Sequence, residues 1–306
     1  MIARYATRSL SILFVAAALA QSPSTQSVTV PAPEAPASAP ANDPRALDLL
    51  KKACDRLTGA KSFETTCRLT RLMGTKDAGE LLELRAKLLY AAKNRLRIVS
   101  DPARFSIAGK PSPEDRGLYI TSIFDDGKQL HFVMPEIKRF NKKDAPPTAA
   151  EIFVGGKMPE GANFPGMTAY PVFLRDDPYK LMTMETRRSL YAGKEKVDGV
   201  ECHVIRQMPA DTEQLIDLRI WIEVDQPVFR QFRTDFSRAE AKGMQLMEPE
   251  ITIKFEDWRF DGPVTDADFA YTPPADYKHV DTFMVDPSEL AASQPASQPT
   301  SQPAGK

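Results

Sequence analysis

The spacing of apolar residues changes period once, early in the chain. Leu47, Leu50, Cys54 and Leu57 recur at helical spacing and leave Lys51, Lys52 and Arg56 on the other side. Asp43 stands where a carboxylate can accept from free backbone N–H groups, Pro44 suits a first turn, and Thr58-Gly59 closes the segment. One capped helix is therefore expected from Asp43 to Thr58. From Phe63 the period is two. Phe63, Thr65, Cys67, Leu69 and Arg71 alternate with Glu64, Thr66, Arg68 and Thr70, and Leu82, Leu84, Ala86, Leu88 and Tyr90 alternate with Glu83, Arg85 and Lys87. Asn94 turns the chain into Leu96 and Ile98. Asp125-Asp126-Gly127-Lys128 joins the runs 118–124 and 129–133, and Val197-Asp198-Gly199 joins 189–196 to 200–208. Asp-Gly between two β runs is a hairpin signal, because the turn needs positive φ. Leu218, Ile220 and Ile222, then Val228, Arg230, Phe232 and Thr234, then Ile251, Ile253 and Phe255 continue the alternation, and 261–274 reads as short and extended. The pattern gives about ten strands in consecutive hairpins.

Between 148 and 184 the alternation stops. Pro165, Pro171 and Pro178 punctuate a stretch carrying Ile152, Phe153, Met167, Tyr170, Phe173 and Leu174, with Gly155, Gly156, Gly161 and Gly166 to bend it. An antiparallel sheet with one apolar face must have that face covered, either by helices or by its own curvature. The predicted fold is α+β, mostly β: a strongly curved antiparallel sheet with an N-terminal helix and a helical lid insertion. Leu88, Tyr90, Ile98, Ile220, Ile222, Phe232, Ile253 and Phe255 are expected on the concave face, with Phe153, Met167, Tyr170, Phe173 and Leu174 in the lid. These side chains either line an apolar pocket or pack on one another as a closed core.

The ends differ from the middle. Arg4 and Arg8 precede an uncharged apolar run, 10–20, ending in Ala18-Leu19-Ala20. Residues 1–20 read as a signal peptide cleaved near Ala20, since the run falls short of the about 20 residues of a spanning helix. No cysteine follows at the distance of a lipoprotein signal and no arginine pair precedes the run, so a non-lipidated product of the general export route is expected. Residues 21–42 are a Pro/Ala/Ser linker and 288–306 a Ser-Gln-Pro tail, both expected to be disordered, which leaves 43–287 as the folded part.

Composition narrows the function. With 42% hydrophobic and 26% charged residues and a formal net charge of −1, nothing recruits nucleic acid or an anionic membrane by long-range attraction. Cys54, Cys67 and Cys202 allow at most one internal bridge, Cys54–Cys67 or Cys67–Cys202; otherwise they are three buried thiols. There is no CxxC, no GxSxG and no HExxH. His131 and His203 fall inside predicted strands, and His279 is the remaining histidine. Asp125-Asp126 and Asp176-Asp177 lie at turns, where capping explains them; Asp266 and Asp268 read as strand-end residues, although such a cluster suits a hard cation. No enzyme, cofactor or metal centre is expected.

Four segments together carry a resemblance: ALDLLKKACDRLTGAKSFETTCRLT, SIFDDGKQLHFVMPEIKRF, YAGKEKVDGVECHVIRQMP leading to RIWIEVDQPVFRQFRTDF, and ITIKFEDWRFDGPVTDADFAYTPPAD. In this order, over most of Asp43 to Asp276, the chain resembles the LolA/LolB-like superfamily of periplasmic lipoprotein carriers, especially its outer-membrane lipoprotein-sorting-like branches. The resemblance implies an incomplete β-barrel with a helical lid over an apolar cavity for acyl chains. It implies a periplasmic carrier whose partner is a lipid or acylated protein; a monomer with transient membrane contact is expected, and a closed core would instead make the chain an envelope protein-interaction or structural module with an envelope protein as partner. The carriers have an Arg-Pro at the corner between their second and third strands, whose arginine helps hold the lid. Here the corner reads Ala91-Ala92-Lys93-Asn94-Arg95, with Lys93 or Arg95 as the substitute.

Overall fold

Helix α1 spans Pro44–Thr58 and begins as its sequence dictates: Asp43 is extended, and its Oδ1 accepts from the Arg45 N–H at 2.8 Å. Ala46, Leu50, Ala53, Cys54 and Leu57 form its buried stripe, and Lys51–Asp55 and Lys52–Asp48 pairs line its solvent side. The computed structural model describes residues 42–73, 79–91, 94–107, 110–111, 122–154, 157–160, 170–184, 187–209, 217–236 and 250–283.

Among these residues the strands are β1 (Ser62–Met73), β2 (Glu80–Ala91), β3 (Arg95–Ser100), β4 (Arg104–Ile107), β5 (Lys110–Pro111), β6 (Ser122–Asp125), β7 (Gln129–Met134), β8 (Arg139–Asp144), β9 (Arg187–Val197), β10 (Val200–Pro209), β11 (Asp217–Glu223), β12 (Phe229–Asp235), β13 (Glu250–Phe260) and β14 (Lys278–His279). They form one sheet in the order β14-β8-β7-β6-β3-β2-β1-β13-β12-β11-β10-β9, with β4 on β2 and β5 on β4. The sheet is strongly curved and open: β14 and β9 end its main path without meeting, so the barrel is incomplete. The first strand lies mid-sheet, between β2 and the last long strand, β13.

The turns are local products of sequence. Asn94 has φ 65°, Gly127 φ 85°, and Asp198 and Gly199 φ 50° and 84°; glycine and the short Asn and Asp side chains tolerate this region best. Asp125 Oδ1 accepts from Gly127 N at 2.8 Å, and Asp126 Oδ1 from Lys128 N and Gln129 N, so the acidic pair does form the turn.

Among the described residues of the insertion, helix is formed by α2 (Glu151–Val154), α3 (Tyr170–Phe173) and α4 (Pro178–Met182). Asp177 caps α4 through Lys180 N at 2.8 Å. With α1 they pack in the hollow of the sheet, where one cluster joins Leu50, Leu57, Ile152, Phe153, Phe173, Leu174 and Met182 to Leu69, Leu88, Ile220 and Phe255.

Residues 261–283 go beyond the short extended segment read from the sequence. They cross the outer face, where Phe269 is fully buried, Tyr271 stacks on Phe124 at 4.6 Å and Arg95 pairs with Asp266 at 2.6 Å. They then add β14 to the β8 edge as a parallel partner. Asn141 Nδ2 donates to the Val280 and Asp281 carbonyls, and Phe283 reaches the inner core, its N–H bonded to Glu160 O at 2.8 Å. The segment is a strap from the outer face, round one edge, to the inner side.

Candidate functional site: the inner face of the sheet

Cross-strand register builds the site in rows. One row runs Ile205–Ile220–Phe232–Ile253–Leu69–Leu84 across six neighbouring strands, and a second runs Thr65–Leu88–Ile98–Ile123–Phe132–Asn141. A third runs Phe63–Tyr90–Leu96–Asp125–Leu130–Lys143. The first is wholly apolar; the second ends in a polar residue, and the third includes two ionisable side chains beyond Leu96. All eight residues expected on the concave face lie on this side. Leu88, Ile98, Ile220, Ile222, Ile253 and Phe255 are buried in the main core, and Tyr90 and Phe232 are half-buried against it.

The lid residues meet this face directly. The Phe173 ring lies 4.8 Å from Phe255, 5.4 Å from Phe229, 5.6 Å from Phe232 and 6.3 Å from Trp258, three of the four at steep angles. Phe153 and Leu174 are buried in the same cluster. Tyr170 opens α3, and Met167 lies outside the described residues.

Phe229 and Trp258 belong to this aromatic slot although strict alternation assigns them to the other face. A bulge explains each. Opposite β11, Ile220 faces Phe232 but Ile222 faces Phe229, so β12 carries one extra residue. In β13 the register against β1 shifts between Glu64 and Thr66, and Asp257 adopts φ 57°, which turns Trp258 and Phe260 inward beside Phe63. Trp258 Nε1 donates to Phe229 O at 2.8 Å and fixes the ring.

Polar groups on this face are few. Burial pushes the Tyr90 hydroxyl up, and the charge of Asp176 adds to it. Asp125 is fully buried. Its Oδ2 has no hydrogen-bond partner, and burial raises its carboxyl to about 7. Asn141 is buried with its Oδ1 likewise unpartnered. Lys143 Nζ donates to Lys157 O at 2.9 Å, which ties β8 to the lid segment.

Other candidate groups are accounted for by structure. Cys54, Cys67 and Cys202 are buried thiols, and burial raises Cys54 to about 12 and Cys202 to about 11. His131 sits in β7 on the outer face, buried beside Tyr271, and burial lowers its pKa; His203 is held by Tyr191 at 3.2 Å. Asp268 closes a capping box with Thr265. No group of three His, Cys, Asp or Glu side chains is placed to hold a metal among the described residues. Arg95 does not take the part of the carriers' lid-holding arginine. It points to the outer face, pairs with Asp266 and covers the Phe269 ring at 5.1 Å, so it holds the strap. Lys93 lies outside the described residues.

An open, bent antiparallel sheet whose oily hollow is covered by helices defines the class: an incomplete β-barrel with a helical lid. The chain belongs to the family described as "Predicted periplasmic protein (DUF2092)", whose model matches residues 46–283. Similar solved structures include LprF from Mycobacterium bovis (11% identity, 74% of this chain and 97% of that one, TM-score 0.38). Two others are the LolA superfamily protein NE2245 from Nitrosomonas europaea (12%, 74% and 97%, 0.30) and the Pseudomonas aeruginosa MucA/MucB complex (12%, 74% and 61%, 0.35). The chain thus spans 61% of the last. Comparison with curated proteins gives no match.

Proposed function

We propose that this is a periplasmic binding or carrier protein for a lipid or a lipidated protein, with the acyl chain lying against the inner face of the sheet beneath the lid. The export signal, 1–20, is removed near Ala20, and 43–287 form the carrier. Leu88, Tyr90, Ile98, Ile220, Ile222, Phe232, Ile253 and Phe255 contact the chain from the sheet side, and Phe153, Met167, Tyr170, Phe173 and Leu174 from the lid side.

The observation that carries this reading is how the lid is attached. Its described helical residues are Glu151–Val154, Tyr170–Phe173 and Pro178–Met182, and α3 is seated on the sheet by Phe173. What holds α3 down is Phe173 in its aromatic slot, and those contacts are generic apolar ones that a hydrocarbon tail reproduces. A tail burying about 300 Å² gains on the order of 7 kcal/mol before ordering costs, enough to compete with one phenyl ring.

The test is titration of delipidated protein with a long-chain fluorescent fatty acid, followed by energy transfer from the two tryptophans, Trp221 and Trp258. Saturable binding is expected, weakened in Phe232→Ala, together with a lipid-sized adduct in native mass spectra after gentle purification. Protein that ignores the probe and carries no adduct sinks the carrier reading.

The direct seating of Phe173 on the sheet also favours a second reading, an envelope protein-interaction module with a closed core. Crosslinking in envelope fractions separates the two. A stable protein complex with no lipid adduct supports the module.

A further inference from the structure

Most of the inner face is hydrocarbon, and Asp125 is an acidic exception whose second oxygen no fold element satisfies. It is the last inward position of β6, with Leu96 and Leu130 directly opposite on the two flanking strands, both fully buried. Oδ1 is used by the Gly127 N–H, whereas Oδ2 has neither solvent nor a partner. Turn formation requires only Oδ1, and an asparagine would meet that need with no ionisable group in the core. The inward lysine of the same row, Lys143, is committed to Lys157 O. The charge acting on the carboxyl is that of its neighbour Asp126, which opposes ionisation. An orphaned buried carboxylate oxygen is costly to keep, and a hydrogen-bond donor brought by a ligand removes that cost. The lid starts beside it: Ala145 N–H bonds to Lys128 O, three residues from Asp125 in the same hairpin.

Resting on the carrier reading, we propose that Asp125 anchors the cargo's head, and that the cargo is an acyl chain bearing a cationic, N–H-donating nitrogen. Phe173 and the aromatic slot mark the tail end and Asp125 the head end, on opposite sides of the β1–β2 centre of the sheet. The inner face then reads as a directional site, hydrocarbon over β13, β12 and β11 and an unpartnered carboxyl oxygen at β6. Asn141 Oδ1, another buried acceptor without a partner, lies on the same face two strands, roughly 10 Å, away, beyond reach of the same nitrogen.

The experiment is displacement of a neutral fluorescent alkyl reporter from the full mature chain by three competitors of equal chain length: alkylamine, alcohol and carboxylic acid. The amine is expected to compete about tenfold better than the acid, the size of one charge-assisted hydrogen bond. In Asp125→Asn, which keeps the Gly127 bond, and in Asp125→Leu, the amine falls to the level of the alcohol while the alcohol is unchanged. Equal displacement by all three in the unaltered protein overturns the head-group assignment and leaves the carrier reading standing; so does an amine preference that survives both variants. Displacement by none overturns both. An ethanolamine lysophospholipid and an acylated, lysine-bearing peptide present the same nitrogen from a lipid and from a protein. The one that competes identifies the source, and failure of both overturns the assignment.

Discussion

A carboxyl with one oxygen tied to Gly127 and the other enclosed by Leu96 and Leu130 releases its proton reluctantly. Asp125 moves from 3.8 to about 7, with burial as the main cause, the Gly127 bond pulling the other way and Asp126 adding to the rise. The raised value fixes the sign of its pH dependence. Below about pH 4 the folded and unfolded chains both keep the proton; between there and about pH 7 only the folded chain does, so its contribution to stability falls as pH rises, by on the order of 4 kcal/mol in all. Urea midpoints at pH 4.5 and pH 8 should therefore differ more for the native chain than for Asp125→Asn; parallel curves would refute the burial argument. The thiols give a second expectation at this scale. Because all three are buried, and Cys54 and Cys202 are held far above their ordinary values, a thiol reagent at pH 8 should label native protein slowly and three sites per chain once urea is added.

Among the elements, those set by neighbours in sequence were legible beforehand. α1 follows from Asp43-Pro44 and one apolar stripe, and the β6–β7 and β9–β10 hairpins follow from Asp-Gly. Gly199→Ala should cost about 1 kcal/mol, read as a lowered urea midpoint with unchanged slope, because a Cβ at φ 84° strains the turn although space around it is open. The concave face was legible by parity up to each bulge and no further. Phe229 and Trp258 were lost because an extra residue in a strand is defined by the partner strand, which alternation within one segment does not contain. Asp125 shows the converse. Its inward orientation was readable as the second position after Ile123, but its turn chemistry explained it sufficiently to hide its burial. β14 had no signal at all: two residues in a parallel pair carry no period.

For the molecule as a whole, the strap links distant regions. Residues 261–283 pair with β8, fill the outer face through Phe269 and touch the lid segment at Glu160. A chain ending at Pro274 keeps Phe269 and Tyr271 but loses β14 and Phe283. We expect it to fold with a lowered melting temperature and with faster amide exchange in 157–160 than in β1 or β2. Uniform exchange across the sheet would show that the strap does not brace the lid.

The central position of β1 has a temporal consequence. A ribosome delivers Ser62–Met73 early, yet one of its two lateral partners is Glu250–Phe260, near the other terminus, and α1 rests on α4, β9 and β11, all made after it. The N-terminal helix therefore waits for α4, β9 and β11, and the first strand spends most of synthesis with only β2 beside it. The flank of β1 that β13 covers stays open until Glu250–Phe260 has been made.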